Sequence, residues 1–201
     1  MRKFLFSRSP RVLVLGALLA MMMVVSAQAA TVDTTGCSQG VFSQPFLALK
    51  DTNWYTLLPG QNEQGFNGVG WELSGGASIV TTTVPDGSTG TVLDLPSGAR
   101  AVSPTACVTS EYPTARAYVR DVVGGEGVSF NVSYEGTSTW EKPKNTGQIH
   151  GANGAWAAAT PVNLQPNKTS GWQPMRITLI GNGKTSEFQV YDLYLDPRLS
   201  R

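Results

Sequence analysis

Short β-prone runs separated by turn residues constrain the fold of this chain more than any other sequence feature. Runs such as NWYTLL, ASIVTTTV and GVSFNVSYEG are bounded by PDGSTG, GGEG and GNGK, and the chain holds 22 Gly and 12 Pro. No long segment repeats apolar residues with the 3.6-residue period of a helix. Many short strands with turn punctuation are typical of antiparallel sandwiches and barrels. The sequence therefore predicts an all-β, single-domain fold, an antiparallel β-sandwich (jelly roll). Little or no helix is expected after the N-terminal leader, and NGAWAAAT (153–160) is the best place for a helical turn.

Alternation within the runs supports the strand assignments. In GVSFNVSYEG the apolar and aromatic residues fall on one face and Ser and Asn on the other, as in an antiparallel strand with one buried side. In TARAYVRDVV small apolar residues alternate with Arg and Tyr. In the first run Val128, Phe130, Val132 and Tyr134 share one face. In the second run Ala115, Ala117, Val119 and Asp121 share one face, and Arg116, Tyr118 and Arg120 lie on the opposite face.

The closing run EFQVYDLYLDP breaks this alternation. Phe188 and Val190 require one face, whereas Leu193 and Leu195 require the other. A β-bulge near residues 191–192 would flip the phase, and a central strand buried on both faces is the alternative; we favour the bulge. On that interpretation Asp192 is a partly buried, hydrogen-bonded acid at the irregularity.

The N-terminus has the order of a secretory signal peptide. MRKFLFSRSPR is basic, VLVLGALLAMMMVVSA is apolar, and Ala27-Gln28-Ala29 supplies small residues for cleavage. The apolar run is shorter than the roughly 20 residues that span a bilayer, although a retained membrane anchor is the alternative. We therefore expect a signal peptide over 1–29, cleavage near Ala29, a secreted protein and no membrane span after cleavage.

Charge and cysteine content limit which partners and which covalent links the protein can have. Four of the 15 Lys and Arg residues lie in the leader, which leaves 11 against 14 Asp and Glu, and no basic stripe indicates a nucleic-acid partner. Cys37 and Cys107 lack metal-site spacing and predict one disulfide, although two separate buried thiols are the alternative. The bond would close a loop of about 70 residues and contribute roughly 4 kcal/mol. We expect a segment over 30–40 tied by Cys37, and the sandwich over 41–201.

Catalytic patterns are sparse. His150 is the single histidine, and no G-x-S-x-G pattern accompanies it, which argues against a serine–histidine mechanism and against zinc. Hydrolysis of a glycoside needs only two carboxylates, but Asp192 and Asp196 would lie about 13 Å apart in an extended strand. The sequence predicts that the protein is not an enzyme and has no catalytic residue.

The aromatic content suggests ligand binding. Five Trp and six Tyr are present, and aromatic rings can stack on sugar faces or fill a core. Trp140, at the polar end of a strand, is the first candidate for an exposed platform, and Trp156 is the second. Tyr134 is expected near Trp140 unless it belongs to the core, whereas Trp71 is expected in the core.

Two segments resemble galactose-binding-like jelly-roll domains. WYTLLPGQNEQGFNGVGWELSGGASIV (54–80) is similar to their opening, FQVYDLYLDP (188–197) to their closing strand, and the group includes family 4-type carbohydrate-binding modules. CSQGVFSQPF (37–46) resembles the start of small secreted bacterial proteins of unknown function. The resemblance implies a jelly roll with carbohydrate as its ligand class.

The same resemblance implies a structural calcium. The matching positions are Glu63 and Asp192, but Tyr191 occupies the place of the first acid in the closing pair, and a lost carboxylate weakens a calcium site. No other cofactor is expected.

Two functions from different classes follow. The first is a non-catalytic module that binds extracellular polysaccharide or glycoconjugate through exposed aromatics. The alternative is a structural or adhesive surface protein that contacts other surface proteins. A carboxylate glycoside hydrolase is the third.

Overall fold

The structure is a computed structural model that describes residues 35, 37, 40–111, 113–165 and 171–196. The predicted signal peptide over 1–29, its cleavage near Ala29 and the end of the predicted domain at 197–201 lie outside the described residues. These boundaries therefore stay predictions. The described residues belong to one unit, Thr31–Arg201. Within them, no helix is long and apolar enough to cross a membrane.

Short strands make up nearly all of the regular structure. A 3-10 helix covers Leu47–Leu49. The strands are β1 Thr56–Leu57, β2 Gln61–Asn62, β3 Gly65–Phe66, β4 Glu72–Ser74, β5 Ser78–Thr83, β6 Thr89–Pro96, β7 Arg100–Val102, β8 Ala106–Val108, β9 Thr114–Val123, β10 Val128–Tyr134, β11 Lys144–Ile149, β12 Ala152–Asn153, β13 Ala157–Ala158, β14 Val162–Asn163, β15 Gln173–Gly181 and β16 Glu187–Asp196.

In the described part of the chain these strands form two sheets. The ten-stranded sheet has the order β12-β9-β16-β6-β3-β2, with β1 on β16, β13 and β14 on β9, and β5 on β6. The six-stranded sheet has the order β11-β10-β15-β7-β4, with β8 on β15. Most pairs are antiparallel, and the exceptions are β3 with β6 and β12 with β9. The predicted all-β sandwich is confirmed.

The core lies between the two sheets and contains the side chains that alternation placed there. Phe130 of β10 and Ile177 of β15 are fully buried, as are Ala117 of β9 and Val190 of β16. Arg116, Tyr118 and Arg120 point to the other side of the ten-stranded sheet because they alternate with the buried alanines and valine of β9. That outer side carries the site described below. Trp71 is 8% exposed and packs edge-on against Phe66, so its predicted core position is confirmed.

The closing strand contains the predicted β-bulge. Tyr191 is opposite Tyr118, yet the next registered pair is Tyr194 with Arg116, so β16 has one more residue than β9 in between. Asp192 takes a left-handed backbone conformation with φ of 48°. The extra residue brings Leu193 back to the core side, which explains the broken alternation. The alternative also holds, because β16 is a central strand and its outer residues Gln189 and Tyr191 are only 8% and 9% exposed.

Residues that precede β1 cover part of the outer side of the ten-stranded sheet. Phe46 and Tyr55 are fully buried, and the Phe46 ring centroid lies 5.4 Å from that of Tyr118. Asp51 accepts a hydrogen bond from the Tyr55 hydroxyl at 2.9 Å and forms a 2.7 Å ion pair with Arg116. A small second core therefore seals this part of the face.

The predicted disulfide is present between Cys37 and Cys107, whose Cα atoms are 5.4 Å apart. Cys107 lies in β8, which pairs with β15 of the six-stranded sheet. The bond therefore attaches the N-terminal segment to the six-stranded sheet.

The helical turn expected in NGAWAAAT is absent. This segment contains part of β12 and all of β13, and both pair with β9. An isolated helical turn is only marginally stable, and the unpaired edge of β9 offers the same backbone groups a better set of partners. The placement of the helical turn was therefore wrong.

Candidate functional site

Aromatic and charged side chains gather on the outer side of the ten-stranded sheet, beside the bulge. We call this surface the bulge face and define it as Tyr118, Arg120, Trp156, Tyr191 and Asp192. Tyr118 and Tyr191 are directly opposite each other on β9 and β16. They pack with valines of β5 and β6 and of the turn between them, in a cluster separate from the main core. Their position follows from the register of the two longest strands of this sheet.

The β2–β3 hairpin supports the ring of Tyr191. Gly65 has φ of 105°, and a Cβ atom there would lie 2.0 Å from the Thr91 carbonyl oxygen and 3.0 Å from Tyr191 Cε2. A side chain at this position would collide with the backbone of β6 and press on the phenol ring. Glycine is therefore required for the hairpin to pack against the bulge face.

Trp156 borders the bulge face from the segment between β12 and β13. Its indole N–H donates a 2.8 Å hydrogen bond to the Thr83 carbonyl oxygen. The ring is half-buried, meets Tyr191 edge-on at 6.2 Å between centroids, and has the Arg120 guanidinium carbon 4.9 Å above its centre. The indole is thus held on three sides and retains an exposed portion.

Arg120 is held by hydrogen bonds to side chains of neighbouring strands of the sheet. It donates hydrogen bonds to Thr82 Oγ1 at 3.1 Å and to Gln189 Oε1, and Gln189 in turn donates to Asp94 at 3.0 Å. The Nε atom of Arg120 is buried and finds no hydrogen-bond partner among the described residues. The bulge face therefore contains a fixed cation with one unused donor.

Asp192 supplies an unused acceptor on the same face. Its Oδ2 atom accepts a 3.3 Å hydrogen bond from the Tyr194 hydroxyl, whereas Oδ1 is buried without a partner in the described part of the chain. Burial raises the pKa of this carboxyl to about 6, against the opposing effect of the tyrosine hydroxyls that stabilise its charge. Burial, with the adjacent Asp192, also raises the pKa of Tyr191 to about 12. At neutral pH the face presents a carboxylate between neutral phenols.

Trp140, the first predicted platform, lies on the other sheet. It pairs with Glu135 in an isolated bridge, and its half-buried ring has the Arg176 guanidinium carbon 4.5 Å above its centre. Arg176 alternates with buried Met175 and Ile177, so it points away from the core. Trp140 and Trp156 are therefore not parts of one site.

Tyr134 does not belong to a ligand surface. Its side chain is 2% exposed, and its hydroxyl donates hydrogen bonds to the carbonyl oxygens of Leu164 and Gln165. The ring continues the buried face of β10, and the polar tip is used within the protein. The prediction that Tyr134 contacts ligand is therefore wrong, and its alternative as a core residue is right.

Glu63 and Asp192 were the predicted calcium ligands. Glu63 is exposed in the turn between β2 and β3. Beside it, the Gln61 side-chain amide donates to the Leu193 carbonyl and accepts from the Leu193 N–H, both at 2.9 Å. The described residues contain no group of three or more His, Cys, Asp or Glu that could hold a metal. Two carboxylates alone do not supply the six to eight oxygens that calcium prefers, so these residues do not fit the ion well, and its binding stays a prediction.

Sequence reasoning identified Trp156 and Asp192 in the bulge face but missed the two tyrosines and Arg120. One signal was present. In TARAYVRDVV, Tyr118 lies between Arg116 and Arg120 on the face opposite the small residues. An aromatic ring flanked by cations, on the side of a strand that does not face the core, indicates an interaction surface.

Comparisons with known proteins give neighbours by structure only. No family model matches the chain, and no curated protein matches it. The CBM22-1 and GH10 modules of Clostridium thermocellum endo-1,4-beta-D-xylanase 10B, solved with xylohexaose, match at a TM-score of 0.51 and 17% identity, over 73% of this chain and 29% of that chain. The CBM22-1 xylan-binding domain of Paenibacillus barcinonensis Xyn10C matches at a TM-score of 0.45 and 12% identity, over 65% of this chain and 88% of that chain. A family 16 carbohydrate-binding module matches at a TM-score of 0.45 and 14% identity, over 69% of this chain and 97% of that chain.

At these identities the likeness concerns the fold and not the ligand. The two-sheet architecture and the match above a TM-score of 0.5 agree with the predicted β-sandwich fold. The chain has a two-sheet β-sandwich fold of the jelly-roll type.

Proposed function

We propose that the protein is a secreted, non-catalytic β-sandwich that binds extracellular polysaccharide at the bulge face. The observation that carries the proposal is the partly exposed indole of Trp156, which lies beside Tyr191 and Arg120 on the bulge face. A sugar ring offers C–H groups that pack on aromatic rings and hydroxyls that both donate and accept. Ligand sites commonly combine apolar walls with a few such polar groups.

The class of ligand is supported by the xylohexaose bound to the structurally similar xylanase modules. Stacking and hydrogen bonding are the interactions that these side chains can supply, and the proposal gives none of them a role in bond cleavage. Trp140 remains a proposed ligand residue on the other sheet.

The test is binding of immobilised polysaccharides and of soluble xylohexaose by the purified mature chain. Stacking of one ring contributes about 1–3 kcal/mol by analogy with bases on aromatic side chains. Replacing Trp156 by Ala should therefore weaken binding at the bulge face about tenfold or more. The matched control is Trp54→Ala, which removes a 49% exposed indole from outside the bulge face and should leave affinity unchanged. Absence of binding to every polysaccharide at millimolar sugar would refute the proposal.

A second candidate function, adhesion through contacts with other surface proteins, is favoured by apolar exposure before β1. Val41 is 91% exposed, Leu47 and Leu49 are each 53% exposed, and Trp54 is 49% exposed. Adsorption of the protein to washed producing cells separates the two functions. Treating the cells with protease should abolish adsorption in the adhesive case. Periodate oxidation of cell-surface glycans should abolish it in the polysaccharide case.

A further inference from the structure

The outer side of the six-stranded sheet repeats the pairing of tryptophan and arginine that marks the bulge face. We propose that this side carries a second polysaccharide site, centred on Trp140 and Arg176, so that one molecule binds two polysaccharide chains and cross-links them. The inference rests on the proposed function and extends it from one site to two.

The geometry around Trp140 is fixed by backbone hydrogen bonds. Gly136 donates to the Thr139 carbonyl at 2.9 Å, and Glu141 donates to the Tyr134 carbonyl at 2.9 Å. The hairpin that follows β10 therefore returns the indole to the sheet surface, where Arg176 covers one side of the ring at 4.5 Å. Part of the ring remains exposed.

Charged side chains lie beside this ring. Arg176 forms an exposed 3.3 Å ion pair with Glu72, so a donor and an acceptor lie beside the indole. Asn131 of β10 is partly exposed on the same outer side, opposite the buried Thr178 of β15. A tryptophan, an arginine and a carboxylate thus occur on both outer sides, although the bulge face has two tyrosines in addition.

Trp140 and Trp156 cannot both contact one short oligosaccharide. Arg176 and Arg120 point outward from different sheets, because the residues that precede them, Met175 and Val119, lie in the common core. Facing sheets pack about 10 Å apart, so the whole core separates the two rings. A six-sugar ligand in contact with one ring would have to pass around the sandwich to reach the other. Independent occupancy follows, with two ligands per molecule.

Equilibrium dialysis with labelled xylohexaose measures the number of sites directly. We expect two molecules bound per chain at saturation, one in Trp140→Ala, one in Trp156→Ala and none in the double variant. Trp54→Ala should keep two. Arg176→Ala, which alters a partly exposed side chain, reports on the same site should Trp140→Ala fail to fold, as judged by circular dichroism.

Cross-linking gives the second readout. The wild type should raise the turbidity of a soluble xylan solution at substoichiometric protein, and either single Trp variant should abolish the increase while still binding xylan. One xylohexaose per chain, lost in Trp156→Ala and kept in Trp140→Ala, would overturn the second site and leave the proposed function intact. No binding by the wild type would overturn both.

Discussion

Replacing Asp192 by Asn should stabilise the protein, and the gain should grow as the pH rises from 4 to 7. The carboxyl is half-buried at the bulge, one oxygen has no hydrogen-bond partner among the described residues, and burial raises its pKa from 3.8 to about 6. Asn has nearly the same shape, remains neutral and tolerates the left-handed backbone at this position. The substitution therefore removes the buried charge with little change in packing.

The sign and size follow from proton linkage. Below pH 3.8 the carboxyl is protonated in both folded and unfolded chains, so it carries no penalty. Between pH 4 and 6 the folded chain binds more protons, and stability falls as the pH rises. Above pH 6 the whole cost is present, at most about 3 kcal/mol from the difference in pKa. Because water reaches part of the group, we expect about 1–2 kcal/mol.

Urea denaturation of wild type and Asp192→Asn at pH 3.5, 5 and 7.5 measures this difference. The free energies of unfolding should agree at pH 3.5 and separate in favour of the variant by pH 7.5. Glu126→Gln, at an exposed position between β9 and β10, is the control and should show no comparable pH-dependent gain. A wild type that is more stable than the Asn variant at pH 7.5 would refute the reasoning. If added calcium produced that excess and a chelator removed it, the ion would be the cause.

Three further predictions concern residues outside the bulge face. Cys107→Ser should lower the free energy of unfolding by about 4 kcal/mol, because the bond to Cys37 closes a loop with a sequence separation of 70; an unchanged urea midpoint would contradict this. Asp51→Asn should cost about 3 kcal/mol, since Arg116 is only 11% exposed and would lose its counter-ion; equal urea midpoints for the variant and the wild type would contradict a stabilising ion pair. Tyr134→Phe should cost about 1–2 kcal/mol by leaving buried carbonyls without their donor, and xylohexaose affinity should not change.

Much of the fold was predictable because alternation is a local property. The apolar faces of β9 and β10 could be assigned from the sequence, and the structure buries the apolar side chains of both faces. The strand segments around Trp156 could not be predicted in the same way. β12 and β13 are two residues each and exist because the edge of β9 offers partners, which is a tertiary condition that propensity does not contain.

The candidate site was only partly predictable, because it depends on register across strands. Trp156 could be selected for its small neighbours and Asp192 for its place in a broken strand. Tyr118 and Tyr191 meet because β9 and β16 pair in one register, whereas a shift by two residues would preserve both alternating patterns and separate the rings. Trp140 was predicted to be exposed, but its sheet could not be assigned until its contact with Arg176 was known.

The bulge explains why the irregular strand and the candidate site coincide. In a regular strand only alternate residues share a face, spaced by roughly 6.5 Å. The extra residue at Asp192 returns Leu193 to the core while Tyr191 and Tyr194 remain on the outer side. The carboxyl is thereby placed beside two phenols, with its left-handed backbone supported by the Gln61 amide on Leu193. Bulges recur where a strand must redirect a side chain toward a functional surface. The position at which alternation fails in this sequence is thus the position at which the sheet brings polar and aromatic groups together.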